Sequence, residues 1–402
     1  MEQPLSDVKI LDLTSHIAGP YCTRLLADYG ADVIKVEKPG AGDPARNLGP
    51  FLNDEPHLDK SGLFLYLNTN KRGITLNLES ETGRKIFKEL VKKVDILVES
   101  FSPKVMPSLG LAYETLNKLN PKLIMTSISD FGQTGPYRDF KGSELIYQGF
   151  GGPMYLTGTA EGGPSKRAGN VIQYQIGLVA AVATMTAFYS AEVKGYGDHI
   201  DLDACRAELI SIDSKINMMT AYQYTGHTYR RASAGTFTTL RMCKDGYVYV
   251  QSGTDGLFFQ PTAKVLGLTP KQMEEWAPKP GVPMDPVKAG EFDEKYLMPW
   301  LLQHTKQEIV DTLQAAGGMA IPCNDTAGLL SDPHFHERDY WVEIDHPVTG
   351  KLTYPGAPFR MSEGGWQSRM PAPLLGQHNE EIYAELGYSK DDLVVLRETG
   401  VI

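Results

Sequence analysis

The chain is predicted to be an α/β protein with a doubly wound parallel sheet and a second, smaller lobe. Three observations point there. Short β-rich runs alternate with helical patterns from Val8 to Ile128, which is the signature of strand–helix–strand units packed in layers. The length of 402 residues exceeds what one hydrophobic core usually serves. Beyond Met219 the texture changes, and polar, aromatic and proline-rich stretches replace the alternation.

The first run, VKILDL (Val8–Leu13), reads as a strand. It ends in the turn-forming stretch Thr14–Pro20, after which Tyr21 to Tyr29 suits a helix and ADVIKV (Ala31–Val36) a second strand. Such a unit is usually right-handed with a parallel strand pair. Its glycines do not form G-x-G-x-x-G, so the dinucleotide fingerprint is missing and a dehydrogenase is disfavoured. Ser80 can cap the next helix, which places Ile86, Phe87, Leu90, Val91 and Val94 on one face. Strands are expected again at DILV (Asp95–Val98) and LIMTSI (Leu123–Ile128), with the loops at the strand carboxyl ends as the natural ligand crevice.

From Arg167 to Glu192 the chain is RAGNVIQYQIGLVAAVATMTAFYSAE, with no ionisable group but tyrosine between its charged ends. It is long enough for a membrane span. Gln173, Tyr174 and Gln175 at its front and its many Ala and Thr residues argue instead for a central helix buried on every side in a soluble fold. Residues 1–224 and 331–402 are assigned to a large lobe and 225–330 to a small one. In the small lobe Tyr247–Gln251 reads as a strand, and Trp276–Pro286 carries too many prolines for a regular element. From Asp332 the chain is punctuated by Gly and Pro until the helical pattern Asn379–Leu386.

A formal net charge of -10 argues against nucleic acid or an anionic membrane as partner. The four cysteines, Cys22, Cys205, Cys243 and Cys323, make no CxxC pair and read as reduced thiols of a cytoplasmic protein. No export signal is visible at MEQPLSDVKILDLT.

Several stretches together resemble one family. LDLTSHIAGPYCTRLLADYGADVIKVEKPGAGDPAR, NTNKRGITLNL, DILVESFSPKVMPSLGLAYETL, SDFGQTGPYRD, GYGDHIDLDA, SDPHFHERDYW and PLLGQHNEEIYAELGY are similar to the class III CoA-transferases and acyl-CoA racemases. The resemblance implies a Rossmann-like large domain built from both chain ends, a small domain, and an interlocked ring dimer. It also implies a coenzyme A thioester as substrate, with no permanently bound cofactor and no metal.

In the transferases of this family an Asp four residues before a Gly attacks the acyl thioester, and covalent catalysis then proceeds through a mixed anhydride and an aspartyl-CoA thioester. The matching glycine here is Gly177, and the residue four before it is Gln173. An amide carries no charge and forms no anhydride. Three readings follow. The chain is a non-catalytic subunit with the nucleophile on a homologous partner, in a heterodimer or heterotetramer, as in a succinyl-CoA:(R)-benzylsuccinate CoA-transferase. Or another carboxylate, Glu144 or Asp130, has taken over. Or the glutamine was introduced to hold a complex. A CoA-binding pseudoenzyme is the contrasting class. Racemisation is disfavoured, because Ser143 stands where the racemases have His and Gln173 where they have Asp.

Positions matching the family's CoA contacts are Ile17, Ala18, Lys38, Leu76, Ser100, Phe101, Ser102, Ser129, Asp130, Phe131 and Gly132. Of these Lys38 is a candidate phosphate contact. Plain structure is the competing account: Lys38, Lys71 and Arg72 as solvated charges, Ser100 and Ser102 as turn formers. The family's small-domain glycine loop corresponds to Ser252–Gly256. The H-x-H of His334 and His336, lacking a third ligand, is weak ground for a metal.

Overall fold

A computed structural model describes residues 3–402 except 159–161, 211–212, 229–239, 252–257, 280–281 and 283, with backbone alone at 213–218. The chain divides into two compact units. One comprises Met1–Leu156, Ser165–Tyr229 and Asp339–Ile402; the other comprises Thr157–Pro164 and Arg230–Arg338.

The larger unit is organised on a six-stranded sheet of β1 (Lys9–Leu13), β2 (Asp32–Glu37), β3 (Lys71–Thr75), β4 (Ile96–Glu99), β5 (Ile124–Ser129) and β6 (Asp198–Asp203). The spatial order is β3-β2-β1-β4-β5-β6 and every pair is parallel. Because side chains alternate along a strand, each strand feeds two cores. Ile10, Val33, Ile96 and Ile124 pack with Leu26 and Ile176 on one face. Leu11, Ile34 and Leu97 meet Phe87, Tyr383 and Leu396 on the other. Helix Glu81–Val91 starts where expected, with the Ser80 hydroxyl accepting the Gly83 N–H at 2.9 Å.

Two strands escape hydrophobic patterning. KRGIT and DHIDLD are charged at the positions that strand patterns leave apolar, yet they form β3 and β6. A third difference lies in the stretch expected to be only Gly/Pro-punctuated loop: it contains an antiparallel hairpin of β10 (Trp341–His346) and β11 (Gly350–Pro355). In the smaller unit, β7 (Leu240–Cys243), β8 (Gly246–Gln251) and β9 (Met319–Pro322) form an antiparallel sheet. It is covered by helix Lys306–Ala315, whose Ile309 and Leu313 pack on Val248 and Val250.

The central helix runs from Val171 to Lys194 and is long and apolar enough to cross a membrane, but it is not buried all round. Its small residues at helical spacing, Gly177, Ala180, Ala181, Thr184, Ala187 and Ala191, are buried, whereas Leu178, Val182, Tyr189 and Val193 face outward. The expectation of burial on every side is thus corrected to a one-sided fit. The physical reason is close packing: a Cβ built on Gly177 would lie 2.6 Å from the Ala18 carbonyl oxygen, so only a bare α-carbon lets the first helix (Ala18–Asp28) approach. All four cysteines are free thiols, and Cys323 alone among them is exposed.

Candidate functional site

The strand order reverses between β1 and β4, and the crevice of the larger unit opens at that switch point, outside the strand carboxyl ends. The loops after the two strands are tied together by the Ser15 N–H donating to Ser100 Oγ at 3.0 Å. Three clefts meet along them. One of about 530 Å³ is lined by Lys38, Leu76, Asn77, Phe101 and Ser108. A second of about 380 Å³ is lined by His16, Ala18, Ser100, Asp130, Ser143 and Gln173. A third of about 250 Å³ adds Ser102, Lys104, Arg138 and Lys141.

Buried charges set the shape of the first loop. Asp12 accepts the Thr14 N–H at 2.9 Å and the Lys71 ammonium at 2.9 Å; Lys71 also donates to the Pro20 carbonyl at 2.9 Å. Lys35 donates to the Thr14 carbonyl at 3.0 Å and pairs with Asp43 at 2.8 Å, and Asp43 accepts the His16 N–H at 3.1 Å. That last bond holds His16 at φ 64°, a left-handed conformation few residues other than glycine adopt. Burial alone would raise the Asp12 carboxyl, but the Lys71 and Lys35 charges and the Thr14 and Thr23 hydroxyls outweigh it and hold Asp12 at about 2.

Gln173 stands in the first turn of the central helix and lines the 380 Å³ cleft. The two carboxylates closest to it in role are both occupied. Glu144, on the short helix Glu144–Phe150, is buried; it accepts the Ile172 N–H at 3.1 Å, the Gln173 N–H at 3.2 Å and the Gln148 side-chain amide at 2.7 Å. It caps the central helix, whose own Asn170 makes no side-chain cap. Asp130 lines the same cleft as Gln173, but its oxygens accept the Gly142 N–H at 2.7 Å and the Tyr147 hydroxyl. Replacing Glu144 with Ala removes the acceptor of two helix N–H groups and of the Gln148 amide at a largely buried site. The expected loss is about 1–3 kcal/mol, read by chemical denaturation, with Glu144→Gln recovering part of it.

The remaining sequence candidates divide. Lys38, Leu76, Phe101, Ser100, Ser102, Ala18 and Ser129 line the clefts. Three line none of these clefts: Ile17 is buried, with its carbonyl accepting the Tyr21 N–H; Phe131 packs edge-on against Tyr137, Phe140 and Phe150; and Gly132 makes a left-handed turn. Lys38 is exposed and 3.5 Å from Glu79. The solvated-charge reading fails for Lys71, which is wholly buried, and for Arg72, which is forked among Asp32, Glu381 and Glu385. His336 Nε2 lies 2.7 Å from the Leu330 carbonyl, and among the described residues no three His, Cys, Asp or Glu side chains group to hold a metal. The Ser252–Gly256 loop lies outside the described residues. Sequence reasoning missed Asp12, Lys35 and Asp43; the first two signal themselves only as charges inside apolar strands, and Asp43 only as a residue able to cap the short helix Pro44–Asn47.

The comparisons with known proteins bear on the family and the fold. The model of CoA-transferase family III matches residues 5–379, and the chain belongs to that family. It is 31% identical to the succinyl-CoA:(R)-benzylsuccinate CoA-transferase subunit BbsE of Thauera aromatica, over 100% of this chain and 99% of the relative. It is 32% identical to the succinyl-CoA–D-citramalate CoA-transferase of Chloroflexus aurantiacus, over 100% and 98%. Among solved structures, a CaiB/BaiF family protein from Brucella suis superposes with a TM-score of 0.81 at 29% identity, covering 96% of this chain and 100% of that one.

Proposed function

We propose that the chain is a subunit of a heteromeric class III CoA-transferase that moves CoA from an acyl-CoA such as succinyl-CoA to an organic acid such as (R)-benzylsuccinate. In this reading it works in the cytoplasm, and its homologous partner carries the attacking carboxylate. The observation that carries the proposal is the amide of Gln173 at the cleft wall, with Glu144 and Asp130 both engaged by internal donors. An acid that must attack a thioester cannot have its lone pairs spent on fixed neighbours without paying to break those bonds.

Two kinds of support are independent of that geometry. The outward apolar side chains of the central helix, Leu178, Val182, Tyr189 and Val193, suit cover by a second subunit of an interlocked pair. Among the relatives, BbsE is described as a subunit, as is the succinyl-CoA–L-malate CoA-transferase beta subunit of Chloroflexus aurantiacus, 32% identical over 99% of this chain. A second reading, a self-sufficient transferase acting through Asp130, is favoured by one fact, that Asp130 faces the same cleft as Gln173. A CoA-binding pseudoenzyme would bind the thioester and leave it whole.

Intact-mass measurement after acyl-CoA and borohydride treatment separates them. Borohydride reduces an enzyme-bound thioester, leaving a stable mass change. The expected result is an unmodified chain when it is alone and modification confined to the partner when both are present. Modification at Asp130 or Glu144 of the isolated chain would replace the subunit reading with the second one.

A further inference from the structure

Glu99 closes β4 and its carboxyl is buried with no cation in hydrogen-bonding reach among the described residues. Its Oε2 accepts the Phe101 N–H at 2.7 Å, so it grips the start of the segment Ser100–Lys104 that lines all three clefts. On β5 the register partner of Glu99 is Ser127, whose hydroxyl faces the carboxyl. That hydroxyl in turn lies 2.9 Å from His199 Nε2 on β6, the edge strand, where the half-buried ring stacks on Tyr113 at 5.1 Å. Three polar groups on three adjacent strands thus run from the crevice wall to the sheet edge, with Asp201, the register partner of Ser127 on β6, beside them.

We propose that Glu99, Ser127 and His199 form a proton relay, and that the state of Glu99 holds or releases the Ser100–Lys104 wall of the crevice. With Glu99 protonated, its O–H donates to Ser127, Ser127 donates to His199 Nε2, and the other carboxyl oxygen keeps the Phe101 N–H; every group is satisfied. Discharge follows the same line. Glu99 gives its proton to Ser127 Oγ while Ser127 passes its own to His199 Nε2, leaving a carboxylate, an intact hydroxyl and an imidazolium that releases a proton from Nδ1 to water. The carboxylate then has no buried cation to offset its lost hydration, and the wall opens to let water in.

The surroundings fit this assignment. Leu13 on β1 and Ser127 on β5 flank Glu99 in the sheet, and neither is charged. Across the large cleft stand Glu37, Lys38, Asp43 and Glu79, and around His199 stand Asp198, Asp201 and Glu114. Burial pushes the Glu99 carboxyl up to about 7, tempered by Ser127 and the Phe101 amide. Burial also lowers His199, against the pull of those three carboxylates. The sign follows from linkage. A carboxyl raised above its exposed value favours the closed wall while protonated, so the hold is full below the ordinary 4.5, weakens as pH rises from there, and is lost once pH passes about 7.

Hydrogen exchange of the backbone amides of residues 100–104 in the ligand-free full chain tests this, after division by intrinsic exchange rates. Protection is expected to be constant below about pH 4.5, to fall up to roughly tenfold for each pH unit from there to about 7, and to level off above that. In Glu99→Gln, which keeps both hydrogen bonds, protection should stay high and flat, and the infrared band of a buried carboxylic acid should be gone. His199→Phe keeps the ring stack but leaves Ser127 no acceptor; its hydroxyl turns to Glu99, favours the carboxylate and moves the upper end of the fall to lower pH. A flat profile in the unaltered chain, a pH-dependent fall that survives in Glu99→Gln, or an unmoved upper end in His199→Phe would each overturn the relay.

Discussion

Gln173→Asp is expected to make the isolated chain reactive toward acyl-CoA. The substitution puts a carboxylate at the family's nucleophile position without changing the backbone that presents it, three residues into the central helix and on the wall of the 380 Å³ cleft. Loss of a nucleophile can cost an enzyme up to about 10⁶-fold in rate, so even partial recovery should raise acyl or CoA adduct formation by at least about a hundredfold. Intact mass with borohydride reads the gain. If the folded Gln173→Asp chain binds acyl-CoA and still gains no adduct, the amide is not what silences this subunit.

Much of the framework could be read from the residues because local and global signals agree there. VKILDL, ADVIKV, DILV and LIMTSI became β1, β2, β4 and β5, and Ser80 capped its helix as its chemistry requires. What failed did so where tertiary context overrides local pattern. The charges of KRGIT suit solvent, yet Lys71 is buried because Asp12, fifty-nine positions earlier, compensates it. DHIDLD belongs to the sheet because an edge strand tolerates charge on its open side. The central helix was read as wholly buried because its residues are apolar throughout, but the stripe of small side chains chooses the face that packs. Within the site, Gln173 was legible as a departure from a motif. The cap made by Glu144 was not, since it joins elements twenty-nine residues apart through backbone N–H groups that no sequence displays.

Lys71→Met should be the most damaging single change in the larger unit. The variant removes the cation from a site in which Asp12 is fully buried and held at about 2, below its ordinary 3.8. An ion pair in such a place contributes little compared with well-packed apolar residues, but removing one partner strands the other, at a cost of about 3–5 kcal/mol. For a unit of this size that corresponds to a fall in Tm on the order of 10 °C. The loop should loosen with it, because Lys71 holds the Pro20 carbonyl and Asp12 the Thr14 N–H, so the His16 and Gln173 walls of the cleft lose their common support. The pH response distinguishes this from simple loss of packing. A carboxyl whose folded value is depressed contributes stability above its unfolded value and loses it as pH falls from about 3.8 toward 2. Without Lys71 the Asp12 value rises toward neutrality, so the variant should be least unstable in mild acid, where Asp12 is protonated, and should worsen as pH increases. Urea melts of both chains between pH 4 and 7 give the comparison. Parallel curves for the two would mean that Lys71 acts by its bulk and not by its charge.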